Sequence, residues 1–533
     1  MQTKTQTAPN GVPVSFLNKF GKQITAVLCG FDRIRFRATQ RLLFQPNSME
    51  SYLATCGVLI KHFKRFAEGL TERVKEAAYE AAARAKRPVR YLGSAETNKE
   101  ELARTIAREE GIKSGLIALF TAVEPCWSYS VRGDHKTKEI HLVLETRKCL
   151  HVYHYYQHPD FGLMHVRVQT WFPFTVDVCL NGREWLARQM DQAGLHYVQR
   201  DNCFTWVEKP NRVQALLEDQ GHTNWPKVLN ALLAQAHPLH EEIGRPFHQP
   251  YYWSAAQTEY ATDVLFRDAP TLAQWYRAFL HHGISTFKSV DVLRFLGHFV
   301  PASGRVPKRF RGEVTTSLKE RPEGVRLRHT VNGNSLKVYD KQGSVLRVET
   351  TLVHPEHFKV YRAAEGDPEK RLRWQRLRRG VADMWRRGQV SQAANRRYLE
   401  ALASVTGKTP LRQEAQPVCR PCTVDGQRYR ALNPWSPADG ALLEAISRGE
   451  FALQGLRNRD VRALLYPRKG TPQEERRRSG KVTRSLGLLR AHGLLRKVPG
   501  THRYQVTERG RRLITALLAA RNADVDQLTQ LAA

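Results

Sequence analysis

The chain has 533 residues, 41% of them hydrophobic and 9% aromatic, which is material for several domains with substantial cores and excludes disorder throughout. Lys and Arg number 84 against 51 Asp and Glu, a net charge of +33, so the expected partner is a polyanion, nucleic acid above all. No apolar run approaches the roughly 18 residues that span a bilayer, the polar start MQTKTQTAPNGVP carries no signal or lipid anchor, and eight scattered cysteines make no secreted scaffold; a cytoplasmic chain with no membrane partner is expected.

Residues 1–194 read as an α+β domain. ITAVLCGF leads into RIRFR as a strand pair, MESYLATCGVLIKHFKRFAEGLTERVKEAAYEAAARAK has a long helical rhythm, and ETNKEELARTIAREEG supplies another helix. GLIALFTAV, WSYSVRG, EIHLVLE, CLHVYHYY, LMHVRVQTW and FTVDVCL then follow with short turns, the pattern of a largely antiparallel sheet. NGREWLARQMDQAG closes the region as a helix capped by Asn181. Residues 195–300 read as mainly helical and 301–365 as a second, smaller β-hairpin region. Residues 366–407 read as a basic helical segment with Trp374 and Trp385 among its arginines, and 408–430 as a linker.

Several chemistries drop out. No GxGxxG or HExxH occurs, and the GKT at Gly407–Thr409 lacks the upstream glycine of a phosphate-cradling loop. Histidines on one strand aim at one ion only at i and i+2, and no His-x-His occurs; the single CxxC, Cys419 and Cys422, reads as a loop pair. Carboxylates offer more. Glu259 and Asp263 in QTEYATD, four apart and hence on one helix face, and Glu349 inside a strand are candidate ligands for Mg²⁺ or Mn²⁺ in phosphodiester cleavage. Asp32, at the end of ITAVLCGF, resembles the first metal-binding aspartate of RNase H-like nucleases and transposases, which implies a metal role and a catalytic one; the alternative is an ion pair with Arg33 or Arg35. Tyr153, Tyr155, Tyr156, Trp171 and Phe172, near His151, Arg167 and Arg183, form either an aromatic core or a stacking platform for single strands.

NSLKVYDKQGSVLRVETTL, from Asn334 to Leu352, reads as a hairpin. Leu336, Val338, Leu346, Val348 and Leu352 alternate onto one face and leave Lys337, Tyr339, Lys341, Arg347 and Glu349 on the other. The polar face is either a solvated ribbon of self-neutralising charges or a face that meets phosphate. These residues resemble the basic-Tyr-x-Lys and Arg-x-Glu strand pair of plasmid and phage rolling-circle replication initiators, although the paired-histidine metal motif of the main initiator families is missing. The resemblance implies Tyr339 as a nucleophile on a DNA phosphate, Lys337, Lys341 and Arg347 as strand-positioning cations, and Glu349 as a metal ligand or a partner of Lys337.

The carboxyl end is the most specific segment. SPADGALLEAISRGE, LRNRDVRALLY and EERRRSGKVTRSLGLLRAHGLL read as three helices, followed by two short strands around Pro499-Gly500 and a closing helix. This is a winged helix-turn-helix order over 431–522, and Leu486, Leu489, Gly493, Leu494, Lys497, Val498, Thr501, Tyr504, Val506, Thr507 and Gly510 resemble the helix-wing-helix signature of MarR-like families. The resemblance implies DNA binding, with Arg476, Arg477, Arg478, Lys481 and Arg484 on the helix that enters the major groove and His502 and Arg503 on the wing. The whole layout, from FLNKF and GFDRIRF through TWFPF and LNGREWLARQM to YDKQGSVLRVET, resembles a group of large uncharacterised bacterial proteins, which implies no activity. The expected molecule is thus an α+β multidomain DNA-processing protein of mobile-element or replication-initiator type; the alternatives are a non-catalytic DNA-binding regulator and an RNA-binding or RNA-guided protein.

Overall fold

In the computed structural model, residues 11–524 are described except 94–96, 135, 299, 301–305, 307–309, 322–323, 365–370, 406–410, 449 and 452–454. The polar start to Asn10 and the GKT at Gly407–Thr409 lie outside the described residues. The chain is mixed α+β, with a large mixed sheet and several two-stranded ones. It divides into two units, Leu28–Ala261 with Thr351–Ser391, and Met1–Val27 with Thr262–Thr350 and Gln392–Ala533. Among the described residues no helix is long and apolar enough to cross a membrane.

The unit holding Leu28–Ala261 is organised by strands β1 (Ile24–Thr39, from Leu28), β2 (Val89–Tyr91), β3 (Gly115–Gly133), β4 (Ile140–His158), β5 (Gly162–Gln169) and β6 (Val176–Asn181). Their order is β1-β6-β5-β4-β3-β2, all antiparallel except that β2 runs parallel to β3 at the edge. Segments that alternate separately in the sequence fuse. RIRFR continues ITAVLCGF in one strand, GLIALFTAV joins WSYSVRG as β3, and EIHLVLE joins CLHVYHYY as β4. Pro125 does not break β3, because there β3 has a described partner, β4, on one side only.

Helix Lys99–Glu109, whose cap is the Asn98 side chain, packs Ala103 and Ile106 against Phe120, Tyr153 and Tyr155 on one face of this sheet. Helix Phe63–Arg84 packs Ala78 and Ala82 against Leu119 and Val152 on the other. The long helical rhythm after Met49 is in fact two helices, Pro46–Thr55 and Phe63–Arg84. Next come β7 (Tyr197–Arg200) and β8 (Cys203–Val207), a separate hairpin, then helices Pro210–Gln220 and Trp225–Ala236. β9 (Tyr252–Phe266) is a 15-residue strand inside the span expected to be mainly helical. Tyr252, Trp253, Thr258, Tyr260, Thr262 and Val264 are β-branched or aromatic, and here that preference outweighs the helical spacing of the carboxylates.

In the other unit β10 (Val314–Arg321), β11 (Gly324–Val331), β12 (Asn334–Lys341) and β13 (Val345–Leu352) are neighbours in that order. The hairpin read from the sequence is β12 and β13. β14 (Lys359–Ala363) and β15 (Leu372–Arg376) form a two-stranded sheet in the Leu28–Ala261 unit, so the basic segment opens as a strand and its helix, Met384–Leu402, starts later. Within the span read as a linker, helix Leu411–Ala415 and the pair β16 (Cys422–Val424) and β17 (Gln427–Tyr429) place Leu411, Val418 and Tyr429 against the core of the residues that follow.

Candidate functional site

Period-two alternation tells which side chains share a face, and says nothing about whether that face is covered. In β12 and β13 both faces are buried. Lys337 Nζ donates to Glu349 Oε1 at 2.5 Å and the Tyr339 hydroxyl donates to Oε2 at 2.7 Å. Arg347 closes a two-point pair on Asp263, Nε to Oδ1 at 2.6 Å and Nη2 to Oδ2 at 2.9 Å. Arg347, Asp263 and Glu349 are 0%, 1% and 2% exposed, and Lys337, Tyr339 and Lys341 are buried too. Burial by itself would raise the Glu349 carboxyl, but Lys337, Arg347 and the Tyr339 hydroxyl outweigh it and hold the group below its usual range. The polar face is therefore an internal charge cluster. It is neither the solvated ribbon nor a surface that meets phosphate, and the candidate nucleophile Tyr339 is engaged as a hydrogen-bond donor.

The predicted metal ligands do not form the helical pair expected of Glu259 and Asp263. Glu259 and Asp263 lie on strand β9, where four residues span about 13 Å, so they do not share one ion as a helical pair would. Asp263 has both oxygens on Arg347. Asp32 lies mid-strand in β1 rather than at a strand end, is buried, and accepts from Asn202 Nδ2 at 3.2 and 3.1 Å. Glu259 accepts from Gln257 Nε2 at 3.3 Å. Asp32 and Glu259 do approach, with carboxylate oxygens within 4.8 Å, a donor pair of the hard-oxygen type that Mg²⁺ or Mn²⁺ takes.

At the carboxyl end, helix Pro437–Ile446 is capped by the Ser436 hydroxyl, which accepts from the Asp439 amide at 3.2 Å. Helix Asn458–Leu465 follows, then helix Pro472–Ala491, which starts on a reciprocal Thr471–Glu474 capping box. Gly493, with φ of 72°, lets the chain turn out of that helix. β18 (Leu495–Lys497) and β19 (Tyr504–Val506) pair antiparallel, and helix Glu508–Asn522 closes the segment on a Thr507 cap. Val482, Leu486 and Leu489 enter a core with Leu443, Ile446, Val461 and Ile514. Arg476, Arg477, Lys481 and Arg484 are exposed on the opposite side, within an arc of about 140° at 100° per residue. None of the four has a salt-bridge partner among the described residues. Arg478 differs, since its Nη1 donates to the Arg468 carbonyl at 2.7 Å and to Glu475 at 2.8 Å. His502 is exposed and Arg503 half-buried between β18 and β19.

Two features emerge that sequence reasoning missed. A groove of about 330 Å³ on the sheet of the Leu28–Ala261 unit is lined by Arg33, Arg35, Arg167, Asp177, Tyr153 and His165. Asp177 is clamped between Arg37, at 2.7 and 3.1 Å, and Arg167; burial would raise its carboxyl, but the two guanidiniums pull it down to about 2. Arg35 Nε has no hydrogen-bond partner among the described residues, which makes this a groove with a guanidinium to offer an anion. The available signal was the i, i+2, i+4 run Arg33, Arg35 and Arg37, which puts three guanidiniums on one strand face. The second feature is the β14–β15 ribbon. Tyr361 and Trp374 stand directly opposite each other, 58% and 66% exposed, with ring centroids 5.6 Å apart, and Lys359 pairs with Arg376 two positions along the same face. By contrast Tyr153, Tyr155, Tyr156 and Phe172 are buried, the aromatic-core alternative.

No protein-family model matches the chain, and no curated protein or solved structure is significantly similar to it.

Proposed function

We propose that the chain is a nucleic-acid-binding protein that grips duplex DNA with residues 437–522, used as a winged helix-turn-helix whose helix Pro472–Ala491 enters the major groove. The observation that carries this is the fan of Arg476, Arg477, Lys481 and Arg484, exposed and without acidic partners among the described residues, on the side of that helix opposite the core. A helix fits the roughly 12 Å width of the major groove, and four cations on its outer face reach base edges and flanking phosphates together. In this reading His502 and Arg503, on the turn after β18, meet the adjoining backbone. Fluorescence anisotropy on a labelled duplex over a salt series tests this. Each phosphate-contacting cation adds about one unit to the slope of log affinity against log salt, so Arg476→Ala/Lys481→Ala/Arg484→Ala is expected to weaken binding and lower the slope by about two to three. A triple variant with unchanged affinity and slope overturns the reading.

A second reading, single-stranded DNA or RNA as ligand, is favoured by the exposed Tyr361–Trp374 pair beside Lys359 and Arg376. DNA processing of mobile-element or initiator type would draw on Asp32 and Glu259 to hold Mg²⁺ or Mn²⁺. The same anisotropy samples, supplied with either ion and run on a denaturing gel, report nicking, and Asp32→Asn would abolish it.

A further inference from the structure

We propose that Cys126, Cys149 and His151 form a binding site for a thiolate-seeking divalent metal ion of the Zn²⁺ class. Cys149 and His151 are two apart on β4, which turns both to one face, and Cys126 on β3 comes to the same face one step along, since Glu124 lies opposite Cys149 and Arg147 opposite Cys126. The two sulfurs are 2.8 Å apart, and all three candidate donors, a ring nitrogen among them, lie within 4.8 Å of one another. His151 is fully buried; its Nδ1 faces the Cys149 carbonyl at 3.2 Å, and its Nε2 has no hydrogen-bond partner among the described residues. A histidine whose Nδ1–H is held by a backbone carbonyl presents a lone pair on Nε2, the tautomer that metal-ligating histidines use. A buried nitrogen lone pair left empty costs free energy, and a metal ion uses it.

Binding reads as a hydrated M²⁺ giving up the waters that the three donors replace, with two S–H bonds broken, two M–S bonds and one M–N bond formed, and two protons released to solvent. Tetrahedral geometry with M–S near 2.3 Å puts the sulfurs about 3.8 Å apart, so binding opens the pair by about 1 Å. Two thiolates and one imidazole select a soft or borderline ion over Mg²⁺, and three protein donors leave a fourth position for water.

The full chain, purified with a thiol reductant, is tested by Zn²⁺ content after dialysis and by Co²⁺ substitution. One ion per chain is expected, with a thiolate-to-Co²⁺ charge-transfer band; Cys126→Ser/Cys149→Ser should lose both, and His151→Gln should bind at least tenfold more weakly. Cys419→Ser/Cys422→Ser, which removes the CxxC, should keep the ion; loss of metal there instead overturns the assignment. Should the first double variant fail to fold, alkylation of the wild type decides. Zn²⁺ is expected to slow modification of Cys126 and Cys149 while leaving the exposed Cys419 unchanged, and equal rates with and without Zn²⁺, or no bound ion in the reduced protein, overturn the proposal.

Discussion

Glu349 accepts from an ammonium and a phenol, all three buried, and each of the three groups is there at the expense of its hydration. Desolvating a lone charge costs more than a pair returns, so a buried pair adds little net stability, yet removing one member is costly. Glu349→Gln is expected to lower unfolding stability by about 3–5 kcal/mol, read as the urea midpoint, because Lys337 is left charged and buried. Tyr339→Phe removes one hydrogen bond to a charged group and is expected to cost about 1.5–3 kcal/mol. Lys337→Met with Glu349→Leu should cost much less than Glu349→Gln alone. If Glu349→Gln leaves the midpoint where it was, the cluster is not the buried charge network its geometry describes. The sequence showed which of these residues share a face. It could not show that the face is covered, because alternation is the same for a solvated ribbon and for a strand buried on both sides.

At the scale of elements, legibility followed the strength of the local signal. The helix from Pro472 was readable because Thr471, Pro472 and Glu474 give start signals that depend only on neighbouring residues, and the turn at Pro499-Gly500 punctuates two short strands. β9 was misread because the i, i+4 spacing of two carboxylates was given more weight than the β-branched and aromatic residues around them. The Cys149-x-His151 spacing was present in the sequence, but its third member, Cys126, depends on the β3–β4 register, a long-range property. In the β14–β15 ribbon, β14 fell within the span read as β, while β15 was hidden among arginines that read as helical. The ribbon's exposed Tyr361 and Trp374 carry their own prediction. Stacking a base on an aromatic ring contributes about 1–3 kcal/mol, so Tyr361→Ala/Trp374→Ala should weaken binding of a fluorescent oligo-dT or oligo-U by tenfold or more and leave duplex affinity nearly unchanged. Equal losses on single and double strands would mean that the ribbon contributes charge alone, and the second reading would fall.

Across the whole molecule, the histidines set the response to acid. Burial lowers His151, His154, His165, His282 and His329 to about 4, and burial with neighbouring histidines lowers His237 to about 3. In the unfolded chain each titrates near 6.5. A group whose folded value is depressed contributes stability that is full above the unfolded value and is lost as pH falls toward the folded one, because the unfolded state then binds the extra proton. The window is therefore pH 6.5 to about 4, well above the range in which Asp177, at about 2, responds. Each proton taken up on unfolding contributes a slope of about 1.4 kcal/mol per pH unit, so even three of the six exceed 4 kcal/mol over one unit, a large part of the 5–15 kcal/mol typical of a domain. Urea midpoints measured from pH 8 to 4.5 should be flat above 7 and fall steeply below 6.5. His237→Phe, which removes a titrating group from an aromatic setting against Phe174 and Tyr251, should shallow that fall. A midpoint constant from pH 7 to 5 would mean that these imidazoles reach solvent protons while the chain is folded, and the burial that keeps them neutral would be wrong.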